Sequence, residues 1–133
     1  IVMKKALENA ALKCEDIDYI NAHGNGSPEY DLSETLAIKK VFKERTKEIF
    51  VSSLKSMLGE FDGSGGIRAC GLALSLRQGM IPPTIGTEHL DAQCDLNVVL
   101  GQSKRMGIRS AILNGCSNGG ANISLWFKNY FSP

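Results

Sequence analysis

Three turns in this 133-residue chain combine glycines with polar side chains: "AHGNGSP" at 22–28, "KSMLGEFDGSGG" at 55–66 and "NGCSNGGAN" at 114–122. Each follows a short run with strand character. Loops at strand ends are where α/β proteins assemble their sites, so this repeated strand-then-glycine arrangement restricts the fold more than any other feature. The glycines let backbone amides approach a ligand closely or take positive φ. One such turn is weak evidence, because glycine-rich turns are common and "GEFDGSGG" lacks the G-K-[ST] ending of a phosphate-binding loop.

Between the turns the apolar pattern changes period. Residues 3–13 place Met3, Leu7, Ala10 and Ala11 on one stripe opposite Lys4, Lys5, Glu8 and Asn9, which predicts an amphipathic helix. "IDYINA" (17–22) alternates as a strand does. Asp31 and Glu34 have capping-box spacing ahead of a second helix, "LSETLAIKKVF". "IFVSSL" (49–54) suits a buried strand. "GIRACGLALSLRQG" is apolar nearly all round and predicts a helix buried on most sides, stopped by Pro82 and Pro83 in "MIPPT". A loop follows to Asp95, and "LNVVL", "RSAILN" and "NISLWF" read as three more strands. The order α-β-α-β-α-β-β-β predicts a layered α/β domain, a mixed sheet covered by helices.

Composition narrows the partners. With 43% apolar and 22% charged residues, the chain is long enough for one compact core, a single domain over 1–133. Fifteen Lys and Arg against fourteen Asp and Glu create no field of one sign, and the basic clusters at 39–40 and 43–48 are interleaved with acids. Nucleic acid is therefore not an expected partner. No apolar run reaches the ~18 residues of a membrane-spanning helix, so no membrane is expected either. Cys14, Cys70, Cys94 and Cys116 include no C-x-x-C pair, which argues against zinc and a disulfide framework and for reduced thiols in a soluble, cytoplasmic protein. Ile1 opens directly into helical spacing, so the chain is expected to be a piece of a longer polypeptide.

The three turns in this order, with "DYINAHGNGSPEYD", "VSSLKSMLGE", "ALSLRQGMIPPT", "CDLNVVL" and "LNGCSNGGANISLWF", resemble the C-terminal part of the β-ketoacyl-[acyl-carrier-protein] synthases. These are the condensing enzymes of fatty-acid and polyketide synthesis, and their fold is that of thiolase. The family turns read V-x-A-H-G-T-x-T-P-x-G-D, K-S-x-x-G-H and N-S-F-G-F-G-G-x-N. The resemblance implies that the nucleophilic cysteine lies in an N-terminal part outside this chain. It also implies two histidines that donate hydrogen bonds while an extender thioester loses carbon dioxide, since preorganised neutral donors stabilise the charge developing on the thioester oxygen. His23 matches the first histidine, and Lys55 matches the lysine that supports the pair. Asn25 and Ser27 stand where two threonines touch the pantetheine arm. Cys116 and Asn118, beside Gly119 in the substrate-binding turn, replace the aromatic gate. No cofactor is implied, because the substrates ride on the phosphopantetheine of an acyl carrier protein. That carrier is one implied partner; the N-terminal half of the same protein or a ketosynthase subunit, in a homo- or heterodimer, is the other.

Glu60 stands where the second histidine belongs. An ionised carboxylate ~4 Å from the developing enolate, at an effective dielectric near 20, would repel it by about 4 kcal/mol, roughly a thousandfold in rate. Three arrangements relieve this: an apolar site that keeps the acid protonated, use of Glu60 as a base toward another acceptor, or a Glu60 that faces solvent or pairs with a cation such as Arg68. Cys116 is expected to be inert, as lone thiols in glycine-rich turns generally are. His89 is expected to be exposed, and Thr84 to belong to its own turn. Two functions follow from the resemblance. Retention of His23 and Lys55 favours a ketosynthase-like acyltransferase with its cysteine upstream. Loss of the second histidine and of the gate favours a chain-length-factor-like subunit that shapes the acyl tunnel of an active partner.

Overall fold

The computed structural model describes residues 1–130. Helix α1 (Val2–Asn9) buries Met3 and Leu7. It ends sooner than its sequence period suggests, because Ala11 takes φ 53° and the Leu12 N–H closes back onto the Leu7 carbonyl, folding Leu12 against the core. Strand β1 (Tyr19–Asn21) is fully buried.

Helix α2 (Pro28–Phe42) starts earlier than expected, behind Ser27. Proline at the first helical position gives up no hydrogen bond and already has helical φ. The predicted capping box at Asp31 and Glu34 is therefore absent, and both acids sit inside the helix, reaching back to amides of the turn before it.

Strand β2 (Phe50–Ser52) leads into a one-turn helix, α3 (Lys55–Leu58), and then α4 (Ser64–Gln78). A short pair, β3 (Met80–Ile81) with β4 (Lys104–Arg105), is antiparallel. Strands β5 (Ser110–Cys116) and β6 (Asn122–Lys128) complete the order. "LNVVL" is not a strand of its own. Its backbone divides between two partners, Val98 bridging Val51 and Leu100 bridging Thr84, so it stitches β2 to the segment after α4 without pairing along either.

The sheet order is β2-β1-β5-β6, with β1 parallel to β2 and to β5, and β6 antiparallel to β5. Successive side chains of a strand face opposite sides. Ile20 and Ile112 accordingly join Met3, Leu7, Ile38 and Phe42 in one core, under α1 and α2. Tyr19, Ala111 and Leu113 join Leu72, Leu76 and Ile81 in the other, under α4. This is the expected mixed sheet between helical layers. Helix α4, however, is not buried on most sides: Leu72 and Leu76 face the sheet while Ile67 and Leu74 are 47% and 53% exposed, because no described element covers its outer face.

The strand order reverses direction at β1, whose two neighbours in the sheet come from later and separate parts of the chain. Crevices at the carboxyl ends of strands beside such a reversal are where open α/β sheets bind ligands. The ends of β1, β2 and β5 are parallel, and each opens into one of the three glycine-bearing turns.

Candidate functional site

His23 leaves β1 buried, 6% exposed. Its own N–H and that of Gly24 donate to the two oxygens of Glu34, at 3.0 and 3.1 Å, and the Asn25 N–H donates to Asp31 at 3.2 Å. The carboxylates of α2 thus satisfy the amides of a turn too tight to pair them internally. Gly24 sits at φ +34°, and a Cβ there would lie 2.8 Å from the Ser53 Cβ. Ser53 uses this closeness: its Oγ donates to the Gly24 carbonyl at 2.6 Å, joining the first turn to the second.

Lys55, at the start of α3, is likewise buried, with Nζ 3.1 Å from Nδ1 and 3.2 Å from Nε2 of His23. From the third turn the Cys116 N–H donates to Nδ1 at 3.1 Å. A nitrogen that accepts from a backbone amide carries no proton, so the neutral ring holds its hydrogen on Nε2, and the Lys55 ammonium, which can only donate, is met by Nδ1 and not by Nε2. Burial first, and Lys55 next, lower the His23 pKa from its ordinary 6.5, against the opposing pull of Glu34 and Glu60. The imidazole is therefore neutral near pH 7, with one ring nitrogen left to donate and the other to accept.

Glu60 closes the group. Its Oε2 lies 2.5 Å from Lys55 Nζ, so the acid meets His23 through the lysine. With its side chain 52% exposed, Glu60 is neither sealed in an apolar site nor paired with Arg68. The repulsion expected from a bare carboxylate is offset by the adjacent ammonium.

A cleft of about 560 Å³ is lined by Gly24, Asn25 and Glu34 together with Lys55, Ser56 and Glu60. His23 is not on its surface; the flanking Ala22 and Gly24 are. A second cleft, of about 320 Å³, is lined by Tyr30, Asn114, Cys116 and Asn118, and Glu34 borders both. His23 lies between them, held by Lys55 from the first and by the Cys116 amide from the second.

The remaining sequence candidates divide between the clefts and the surface. Asn25 lines the first cleft, its side-chain oxygen accepting from the Ser27 N–H. Ser27 is not on that wall, and its hydroxyl donates to Glu29. Asn118 accepts from the Tyr30 hydroxyl at 2.9 Å, and Gly119 is exposed with open space around it. Burial, then Glu34, push the Cys116 thiol pKa up, which keeps the sulfur protonated and unreactive. His89 is exposed. Among the described residues no group of His, Cys, Asp and Glu is arranged to hold a metal ion.

Three residues have roles that the sequence reading did not assign. Glu34 looked like a helix cap. Thr84, read as part of its own turn, accepts the Ser53 N–H at 3.0 Å and lines the first cleft. Arg68 is 2% exposed on α4, and a charge set among the apolar residues of the helix's first half was the available signal.

A mixed sheet layered by helices on both faces, with parallel strand tips opening around one imidazole, is the thiolase-like arrangement of the solved ketosynthases on which this chain superposes. The chain belongs to the β-ketoacyl synthase family: residues 1–88 match the family described as "Beta-ketoacyl synthase, C-terminal domain". It is 43% identical over 126 residues to 3-oxoacyl-[acyl-carrier-protein] synthase 2 of Synechocystis sp., covering 94% of this chain and 30% of that protein. The Staphylococcus aureus protein of the same name is 40% identical over 129 residues, covering 96% and 31%. Among solved structures, the ishigamide ketosynthase/chain length factor superposes with a TM-score of 0.91 at 31% identity, over 96% of this chain and 32% of that one. A type II polyketide synthase acyl-carrier protein in complex with its ketosynthase bound to the hexaketide gives 0.92 at 28% identity, over 95% and 31%. The chain thus spans a little under a third of the length of these relatives.

Proposed function

We propose that this chain is the C-terminal part of a β-ketoacyl-carrier-protein synthase-like acyltransferase, one that joins acyl thioesters by Claisen condensation. The reading rests on one observation: Lys55 Nζ joins the His23 ring to the Glu60 carboxylate at the wall of the larger cleft. In this reading His23 donates from Nε2 to the thioester oxygen as charge develops there. Lys55 holds the ring and neutralises Glu60, and Glu60 fixes the lysine. Asn25 faces the carrier's pantetheine arm. The nucleophilic cysteine comes from polypeptide outside these 133 residues, so the chain alone is expected to release no carbon dioxide from malonyl-carrier protein. In the complete protein, His23→Ala should reduce that release 100-fold or more, about the contribution of one oxyanion donor. Unchanged release would end the reading.

Glu60 also supports a second reading, a chain-length-factor-like subunit, because an ion pair with the lysine supplies no second neutral donor. The two separate experimentally. If the complete protein releases no carbon dioxide alone but alters the product length of an active ketosynthase mixed with it, the second reading stands.

A further inference from the structure

Arg68 is buried and, among the described residues, forms no ion pair; the carboxylates of Glu34 and Glu60 act on it only from a distance. A buried charge is costly unless its hydrogen-bonding groups are met. Here the partners are oxygens at the ends of strands. Arg68 Nη2 has two hydrogens, and its shortest contacts are to the Ala22 carbonyl at 2.6 Å and the Asn114 carbonyl at 2.8 Å, with the Asn21 side-chain oxygen at 3.0 Å and the Asn21 carbonyl at 3.5 Å sharing them. Nε adds a contact of 3.3 Å to the same Asn21 oxygen. Asn21, itself fully buried, passes the connection on: its Nδ2 donates to the Tyr19 hydroxyl, which lies 2.7 Å from Ser52 Oγ. One guanidinium therefore ties the tips of β1 and β5 directly and that of β2 through Asn21 and Tyr19. These strands launch the turns that carry His23, Cys116 and Lys55.

We propose that Arg68 is a positioning residue, a built-in cation that clamps the three strand tips and so holds His23 Nδ1 on the Cys116 N–H. This rests on the reading of His23 as an Nε2 donor. A planar fork with several N–H groups suits such a task, whereas an ammonium is a point charge. The groups that face the His23 ring are Lys55 from α3, Glu60 beyond it, Glu34 and Tyr30 from α2, and Arg68 from α4. Of these, Lys55 and Arg68 disfavour the imidazolium and the two acids favour it.

The chain has two histidines, so nitrogen NMR of the labelled protein reads His23 with His89 as reference in the same spectrum. Arg68→Met keeps the apolar stem and removes the clamp. It should replace the single Nε2–H tautomer by a mixture, move the His23 midpoint to higher pH, and speed hydrogen exchange at the Cys116 amide more than at Ile20 or Ile112. A folded variant with the His23 tautomer and Cys116 protection unchanged overturns the proposal. So does a uniform loss of protection with the tautomer intact, which marks a structural role. If Arg68→Met does not fold, Arg68→Lys decides. It retains the charge but not the fork, and it should keep the fold while losing Cys116 protection selectively; unchanged protection, or loss of fold in this variant too, overturns the proposal. The outcome does not depend on turnover. The donor reading fails separately, if His23→Ala leaves carbon dioxide release unaltered.

Discussion

Lys55 occupies a position where removing a charge acts on two neighbours at once. Its ammonium lies within 3.2 Å of both His23 nitrogens and 2.5 Å from Glu60. Lys55→Met should raise the His23 midpoint, since Lys55 follows burial as a cause holding it down, whereas Glu60→Gln should lower it, because Glu60 pulls the other way. Opposite displacements in an NMR titration are the check, and displacements of the same sign reject the junction. The depressed His23 pKa also ties stability to pH. Between the lowered folded value and the ordinary 6.5, the unfolded chain binds the proton that the folded chain refuses. This contribution to stability is therefore complete above the ordinary value and is lost as pH falls toward the folded one. Melting temperatures measured from about pH 8 to about pH 5 should decline on the acid side, and His23→Gln should remove that part of the slope.

At the scale of elements, the site depends on the first two turns lying in contact. Gly24→Ala places a Cβ 2.8 Å from that of Ser53 and asks an L-residue to hold φ +34°. Neither neighbour is a flexible side-chain end, so the loss should be about 1–3 kcal/mol, seen in urea unfolding. A neutral result would mean that the turns separate without cost. Much of this arrangement was legible beforehand. Strands β1, β2, β5 and β6 carried β-branched or alternating runs, and the three turns announced where the strand tips would open. His23, Lys55 and Glu60 were named from their motifs and do come together. What the sequence withheld depends on long-range partners. Glu34 has the spacing of a cap, and only the fold reveals that its carboxylate serves His23, Gly24 and Asn114, the last of them 80 positions away. "LNVVL" has the composition of a strand, but its hydrogen bonds are shared between two neighbours. The partner of Glu60 was likewise open to several cations until the turn between Lys55 and Glu60 had a shape.

For the whole molecule, the outer face of α4 is the feature least like that of a finished protein. Ile67, Cys70 and Leu74 recur at helical spacing on that face, and all three are exposed. Phe61, 48% exposed, and Met57, 40% exposed, precede them in the chain. The same helix carries Arg68 on its buried face, so it is fastened to the sheet beneath and bare above. Exposed apolar side chains grouped on one helix face mark an interaction site or an aggregation hazard. If the remainder of a longer polypeptide covers the face, the isolated chain should self-associate in sedimentation experiments as its concentration rises. Ile67→Glu combined with Leu74→Glu should suppress that association while leaving the melting temperature of the chain nearly unchanged, because neither side chain touches the buried core. In the complete protein the same pair should do the opposite kind of damage: two carboxylates placed in an apolar junction are each costly to bury, and the protein should lose solubility or stability. A double variant that behaves like the parent in both settings would show that α4 faces water in the complete protein and that its apolar outer stripe is incidental.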